Sequence, residues 1–263
     1  MIYVNYIFSG IFFRKNCNRA LSSLSQLQLK GDGNMNDQHP IFIPGPTNIP
    51  SRLLKAMQVQ TLDHRAPDFA DTFLPVLERC KPIFGTRQAT ILSFPATGTA
   101  GWEAAITNTL SPGDTVLIAR YGLFSLRWIV MCERHGLDVR ILETTWGEGA
   151  PAERFEEALR ADTAGSIKAV LVTHNETATG VVSDIGAIRP ALDAAQHPAL
   201  LMVDAVSSLA SMPFEMALWG VDICITGSQK GFMLAAGMAI LAVSDKALAA
   251  MASATLPRTF LDF

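Results

Sequence analysis

Lys230 is the side chain best placed to act as a nucleophile. It follows an apolar, β-branched run in VDICITGSQKG (221–231) that ends in Thr-Gly-Ser, so a buried strand delivers one amine into a polar loop. Asp204 closes a second run of the same kind within ALLMVDAVSSL (199–209). Both groups then fall at the carboxyl ends of parallel strands, where open α/β sheets hold their ligands. The amine can form a Schiff base with an aldehyde, and a strand-end acid can hold a ring nitrogen protonated so that the ring accepts electrons. That pairing is the chemistry of a pyridoxal 5'-phosphate site. A strand-end Asp and a loop Lys also occur as Mg²⁺ ligands, caps or plain surface charges, so the pair alone leaves the choice open.

Three further loops lie at strand ends. In Ala96-Thr97-Gly98-Thr99-Ala100-Gly101 the small residues let backbone N–H groups approach an anion, and two hydroxyls add donors beside a helix start. This loop has neither the GK[ST] of a Walker loop nor dinucleotide glycine spacing. Either threonine serves equally well as a plain helix cap. In HNETATG (174–180), Thr177 is a donor for a phenolate oxygen. His174 and Glu176 invite catalytic roles, although a hydrogen-bonded loop residue is the commoner fate of each. In RYGLFSLRW (120–128), Tyr121 and Phe124 each offer a face for stacking on a flat ring, or for ordinary packing.

Alternating strands and helices must position these loops. IFIPGPTNIP (41–50) reads as an extended, rigid loop. Apolar residues then recur at helical period at Phe69, Phe73, Val76, Leu77, Cys80 and Phe84, with Pro67 in the first turn and a kink at Pro75. Strands are expected at 90–94, 115–119, 139–144, 168–174, 199–204, 221–226 and 237–243. Helices are expected after the 96–101 loop through Leu110, and at 124–135, 151–161 and 184–195. The order is that of an α/β fold with a mostly parallel sheet flanked by helices.

Composition agrees. The 263 residues are 49% hydrophobic and 17% charged, which suits one large domain, or one with part of a second, whose sheet is covered on both faces. A net charge of −3 without a basic stripe gives no support to a nucleic-acid partner. Cys17, Cys80, Cys132 and Cys224 are scattered with no CxxC pair, as expected of reduced thiols in a cytoplasmic protein. No run approaches the roughly 20 apolar residues of a membrane span. Residues 1–40 begin apolar, turn basic only at Arg14 and Lys15, and end polar and aperiodic. That order is wrong for a secretory signal, so a disordered or spurious leader is expected there, with a natural start at Met35; a targeting peptide is the alternative.

PGPTNIP, ATGTAGWEAA, the PGD at 112–114, HNETATGV, VDAVSSL and TGSQKG, in this order, resemble class V pyridoxal phosphate aminotransferases of fold type I. The likeness is nearest to the serine–glyoxylate and alanine–glyoxylate enzymes and covers about residues 41–263, specific as a set rather than motif by motif. It implies a cofactor-binding large domain at 41–263 and a carboxyl-terminal small domain that the chain lacks. It also implies that Lys230 forms the Schiff base and moves the proton, and that Asp204 pairs with the pyridinium nitrogen. Thr97, Gly98 and Thr99 would hold the phosphate with Gln229 beside them. Thr177 would meet O3′, Val206 one ring face, and Phe124 the other, where alanine–glyoxylate enzymes have tryptophan.

The activity so implied is ping-pong transfer of an amino group from serine or alanine to glyoxylate, with small amino acids and 2-oxo acids as partners, in a homodimer. The family's small domain supplies an arginine for the substrate carboxylate, and residues past this chain's end reach a neighbouring subunit's phosphate. The chain is therefore expected to bind cofactor but transaminate poorly. Other readings are a cysteine desulfurase or lyase of the same fold type, although no cysteine falls in a cofactor loop, or a non-catalytic remnant.

Overall fold

The computed structural model describes residues 41–263, so the expected leader lies outside the described residues. Two helices come first, α1 (Ser51–Met57) and α2 (Phe69–Cys80), followed by a short 3-10 turn, Lys81–Phe84. Strand β1 (Thr90–Phe94) then leads into α3 (Gly98–Thr109), β2 (Thr115–Arg120) into α4 (Leu123–Arg134), and β3 (Asp138–Glu143) into α5 (Ala152–Ala161). Strand β4 (Ile167–Thr173) is followed by a small hairpin of β5 (Asn175–Glu176) and β6 (Val181–Val182), and by α6 (Ile188–Ala194). Strands β7 (Leu200–Asp204), β8 (Ile223–Gly227) and β9 (Ala239–Val243) and helix α7 (Asp245–Ala250) complete the chain.

Seven strands form one sheet in the order β1-β9-β8-β7-β4-β2-β3. Only β9 runs against its neighbours, so β1 points the same way as the parallel strands. The register then fixes what meets at the carboxyl edge. Phe94, Ala239 and Gly227 share one rung, and Thr173, Asp204 and Ile225 share another. The loops after β1, β4, β7 and β8 therefore open side by side.

Strand side chains alternate between two cores. Leu117, Val170, Val172, Leu201 and Val203 pack with Phe155 and Leu159 of α5 and Ile188 and Leu192 of α6. Val116, Ile118, Leu171, Met202 and Ile225 pack with Trp102 and Ile106 of α3 and Trp128 and Ile129 of α4. Burial on both faces is why these strands read as unbroken apolar runs. Helix α3 lies closest: a Cβ on Gly101 would stand 2.5 Å from Ile225 Cγ2. Its buried Asn108 donates to the carbonyls of Ala104 (2.8 Å) and Leu261 (2.6 Å) and accepts from the Phe263 N–H (3.0 Å), pinning the end of the chain along the helix.

Some sequence expectations are corrected. Helix α2 begins at Phe69, so Pro67 precedes it rather than standing in its first turn, while Pro75 lies inside the helix. Its expected packing face is only half covered: Phe69 and Phe73 stack at 5.6 Å, but Val76 is 51% exposed. The strand at 239–243 is antiparallel to both neighbours, a direction that periodicity does not encode. Among the described residues Cys80, Cys132 and Cys224 are free thiols, and no helix is long and apolar enough to cross a membrane.

Candidate active site

Asp204 ends β7 between β4 and β8 and is buried. Its Oδ1 accepts the Val206 N–H at 2.9 Å, closing a tight turn. Burial pushes the carboxyl up to about 7, against the pull of the Val206 N–H and the Trp102 indole; Glu176 adds to the rise and Lys230 opposes it. Trp102 Nε1 is itself buried and makes no hydrogen bond of ordinary geometry, yet it lies near enough to draw the carboxyl down.

Lys230 stands in the turn after β8, half-buried, with Nζ donating to the Gly45 carbonyl at 3.1 Å. Burial lowers its pKa and Asp204 raises it. Segment 44–47 thus lies directly on the lysine, which sequence reasoning did not foresee. Gly45 has φ +149°, and a Cβ there would fall 2.5 Å from the Gln229 carbonyl oxygen and 2.6 Å from Lys230 Cδ. The Thr47 N–H donates to the same Gln229 carbonyl at 3.3 Å. The density of Pro and Gly at 44–46 was the only signal in the residues themselves.

At the start of α3, Thr97 occupies the N-cap, but its side chain makes no capping hydrogen bond, and both Thr97 and Thr99 are exposed. The plain-cap alternative is therefore not what the fold uses. Gly98 seats against Val206, where a Cβ would come within 2.4 Å of Cγ2. Gln229 lies beside this helix start. A Cβ on Gly227 would sit 2.9 Å from Gln229 Oε1 and 3.4 Å from the Gly98 nitrogen. That Oε1 is buried without a hydrogen-bond partner. An unpaired buried amide oxygen costs roughly 1–3 kcal/mol, which only a hydrogen-bond donor placed beside it would recover.

The remaining candidates divide. Tyr121 is fully buried, its hydroxyl bonded to both the N–H and the carbonyl of Thr173, so it belongs to the core. Phe124 is half-buried and meets Trp102 edge-on, with centroids 6.3 Å apart, while Arg127 lies over its ring at 5.5 Å. His174 pairs with Ser208 Oγ at 2.9 Å, packs against Phe214 and Trp219, and is pushed down by burial to about 4. Glu176 is fully buried against the start of α4. Thr177 is half-buried on the loop that follows Glu176. Lys230, Asp204, Gln229, Gly98 and Val206 are thus gathered at one place, with Phe124 joined to it through Trp102. Cys132 and Cys224 are buried in the core and Cys80 lies on α2, away from these loops.

This sheet and its carboxyl-edge loops match solved fold type I aminotransferases. An alanine–glyoxylate aminotransferase of Nostoc superposes with TM-score 0.80 at 29% identity, over 90% of this chain and 62% of that one. The ureidoglycine–glyoxylate aminotransferase of Bacillus subtilis gives 0.79 at 26% identity, over 86% of this chain and 58% of the other. The chain itself belongs to the class-V aminotransferase family, whose model matches residues 41–257. It is similar to an L-aspartate–glyoxylate aminotransferase of Paracoccus denitrificans, 63% identical over 87% of this chain and 58% of that protein. A serine–glyoxylate aminotransferase of Methylorubrum extorquens is 57% identical over 80% of this chain and 52% of its own length. The chain spans somewhat over half the length of these relatives. The family implies pyridoxal phosphate. The amine, the buried acid and the uncapped helix start with the Gln229 side chain beside it form a set of residues that fits it.

Proposed function

We propose that this chain is the cofactor-binding part of an aminotransferase that moves an amino group from serine or alanine to glyoxylate. The observation that carries the reading is the convergence of Lys230 and Asp204 beside the start of α3, close enough that each shifts the other's titration. Relatives 53–63% identical to the chain are named glyoxylate aminotransferases with serine or aspartate as donor, which supports the acceptor more firmly than the donor.

When bound, pyridoxal phosphate supplies a conjugated ring that takes up the electron pair left at the substrate Cα. The protein does the rest. Burial favours the neutral amine of Lys230, the form able to attach the cofactor and then to carry the Cα proton. Asp204 would face the ring nitrogen and keep it protonated, and that positive nitrogen would make the ring the better electron acceptor. The N–H groups that open α3, the hydroxyls of Thr97 and Thr99, and the Gln229 amide would hold the phosphate, where the positive helix end favours an anion. Gly98 keeps the backbone close. Val206 and Phe124 would bracket the ring and exclude water, with the Thr177 hydroxyl toward its phenolic oxygen. Two copies in a cytoplasmic homodimer, acting on small amino acids and 2-oxo acids, complete the proposal.

Added pyridoxal phosphate is expected to give an absorbance band at about 410–430 nm. Borohydride should fix the label on Lys230, and Lys230→Ala should show neither band nor label. Donor amino acids should bleach the band and glyoxylate should restore it. A band that no donor alters would leave a binder and remove the aminotransferase.

A further inference from the structure

Helix α4 begins directly after Gly122, which has no side chain with which to cap it. The first N–H groups are met instead from another part of the chain. The Phe124 N–H donates to both carboxylate oxygens of Glu176 (3.2 and 3.1 Å). Oε2 also accepts from the N–H (3.1 Å) and the hydroxyl (3.3 Å) of Ser125. Oε1 reaches back to the N–H of Ala178 (3.2 Å), across Thr177. The Glu176 carbonyl accepts the N–H groups of Thr179 (3.1 Å) and Gly180 (2.8 Å), which closes that turn. Glu176 has no exposed surface, and a Cβ on Gly122 would lie 2.1 Å from its Cγ.

Several donors converging on one buried group need two oxygens with lone pairs to spare, which a carboxylate has and an amide or hydroxyl lacks. The positive end of α4 favours the charge. One anion is therefore bonded to the backbone of Phe124 and to the residue after Thr177. Those two side chains are the ones proposed above for a ring face and for the phenolic oxygen.

We infer that Glu176 is a positioning residue: it sets Phe124 and Thr177 relative to each other, so that together they fit one bound ring. This inference rests on the cofactor reading of the site. Neither Phe124 nor Thr177 is fixed to the other by direct hydrogen bonding among the described residues, and the carboxylate is the link.

The test measures the dissociation constant of pyridoxal phosphate and the visible circular dichroism of the bound cofactor, together with the melting temperature of the cofactor-free chain. Glu176→Gln should weaken binding about tenfold and shrink the dichroism. In a chain already carrying Phe124→Ala and Thr177→Val, the same change should alter the dissociation constant less than twofold. Gly122→Ala, which leaves Glu176 in the chain but takes its space, should reproduce the pattern should Glu176→Gln not fold. A merely structural Glu176 would lower the melting temperature and weaken binding equally in both backgrounds, and that result overturns the inference. Wild type that binds while Glu176→Gln binds equally well overturns it alone. Wild type that binds no cofactor removes the site reading and this inference with it.

Discussion

Asp204 carries a charge that the folded chain disfavours until something cationic stands opposite it. Burial raises its carboxyl from the ordinary 3.8 to about 7, so the folded state holds the proton more tightly than the unfolded state. The resulting stability is fully present below about pH 4 and is lost as pH rises through 7. At about 1.4 kcal/mol per pH unit this amounts to a few kcal/mol. Asp204→Asn should therefore raise the melting temperature of the cofactor-free chain at pH 8, with the difference from wild type vanishing near pH 4, while pyridoxal phosphate binds less tightly. His174, pushed down to about 4, contributes with the opposite sign, losing stability as pH falls below 6.5. The wild-type-minus-variant difference isolates Asp204. Identical pH profiles for the two chains would contradict this account.

Helix α3 meets the turn after β7 where Gly98 seats against Val206, which makes that contact a test of how the elements set the site. Gly98→Ala places a methyl 2.4 Å from Val206 Cγ2. The overpacking should cost about 1–3 kcal/mol, seen as a lower urea midpoint with unchanged slope. Val206→Ala in the same chain should restore most of the loss. If the double variant is no more stable than Gly98→Ala, the contact does not set the helix position. Much at this scale was readable in advance. TILSF becomes β1 at the same residues, 90–94, because a β-branched run between turn residues has little alternative. Asp204 and Gln229-Lys230 were visible because buried strands end abruptly in polar residues. What escaped the sequence has physical reasons. Helix α1 has no side-chain cap, the β5–β6 hairpin is too short to show a period, and nothing local announces that Gly45 will lie on Lys230. Trp102 acts on Asp204 across 102 positions of sequence, a relation only the tertiary fold creates.

Across the whole molecule, apolar side chains remain at the surface in the first described segment. Phe42 is 92% exposed, Val59 73%, Leu62 56% and Leu74 56%. Exposure of this kind fits the proposed homodimer, since surfaces so apolar usually meet a partner. Phe42→Asp with Leu74→Asp should shift sedimentation toward monomer while far-ultraviolet dichroism stays unchanged; association that survives both charges would place the interface elsewhere. The antiparallel strand has a further consequence during synthesis. Thr90 pairs with Val243, so β1 cannot join the sheet until 153 more residues have left the ribosome. At about 5–20 residues per second that is a wait of roughly 8–30 s. Through that interval the nascent chain must carry an unpaired strand and the underside of helix α3, a natural substrate for a holding chaperone.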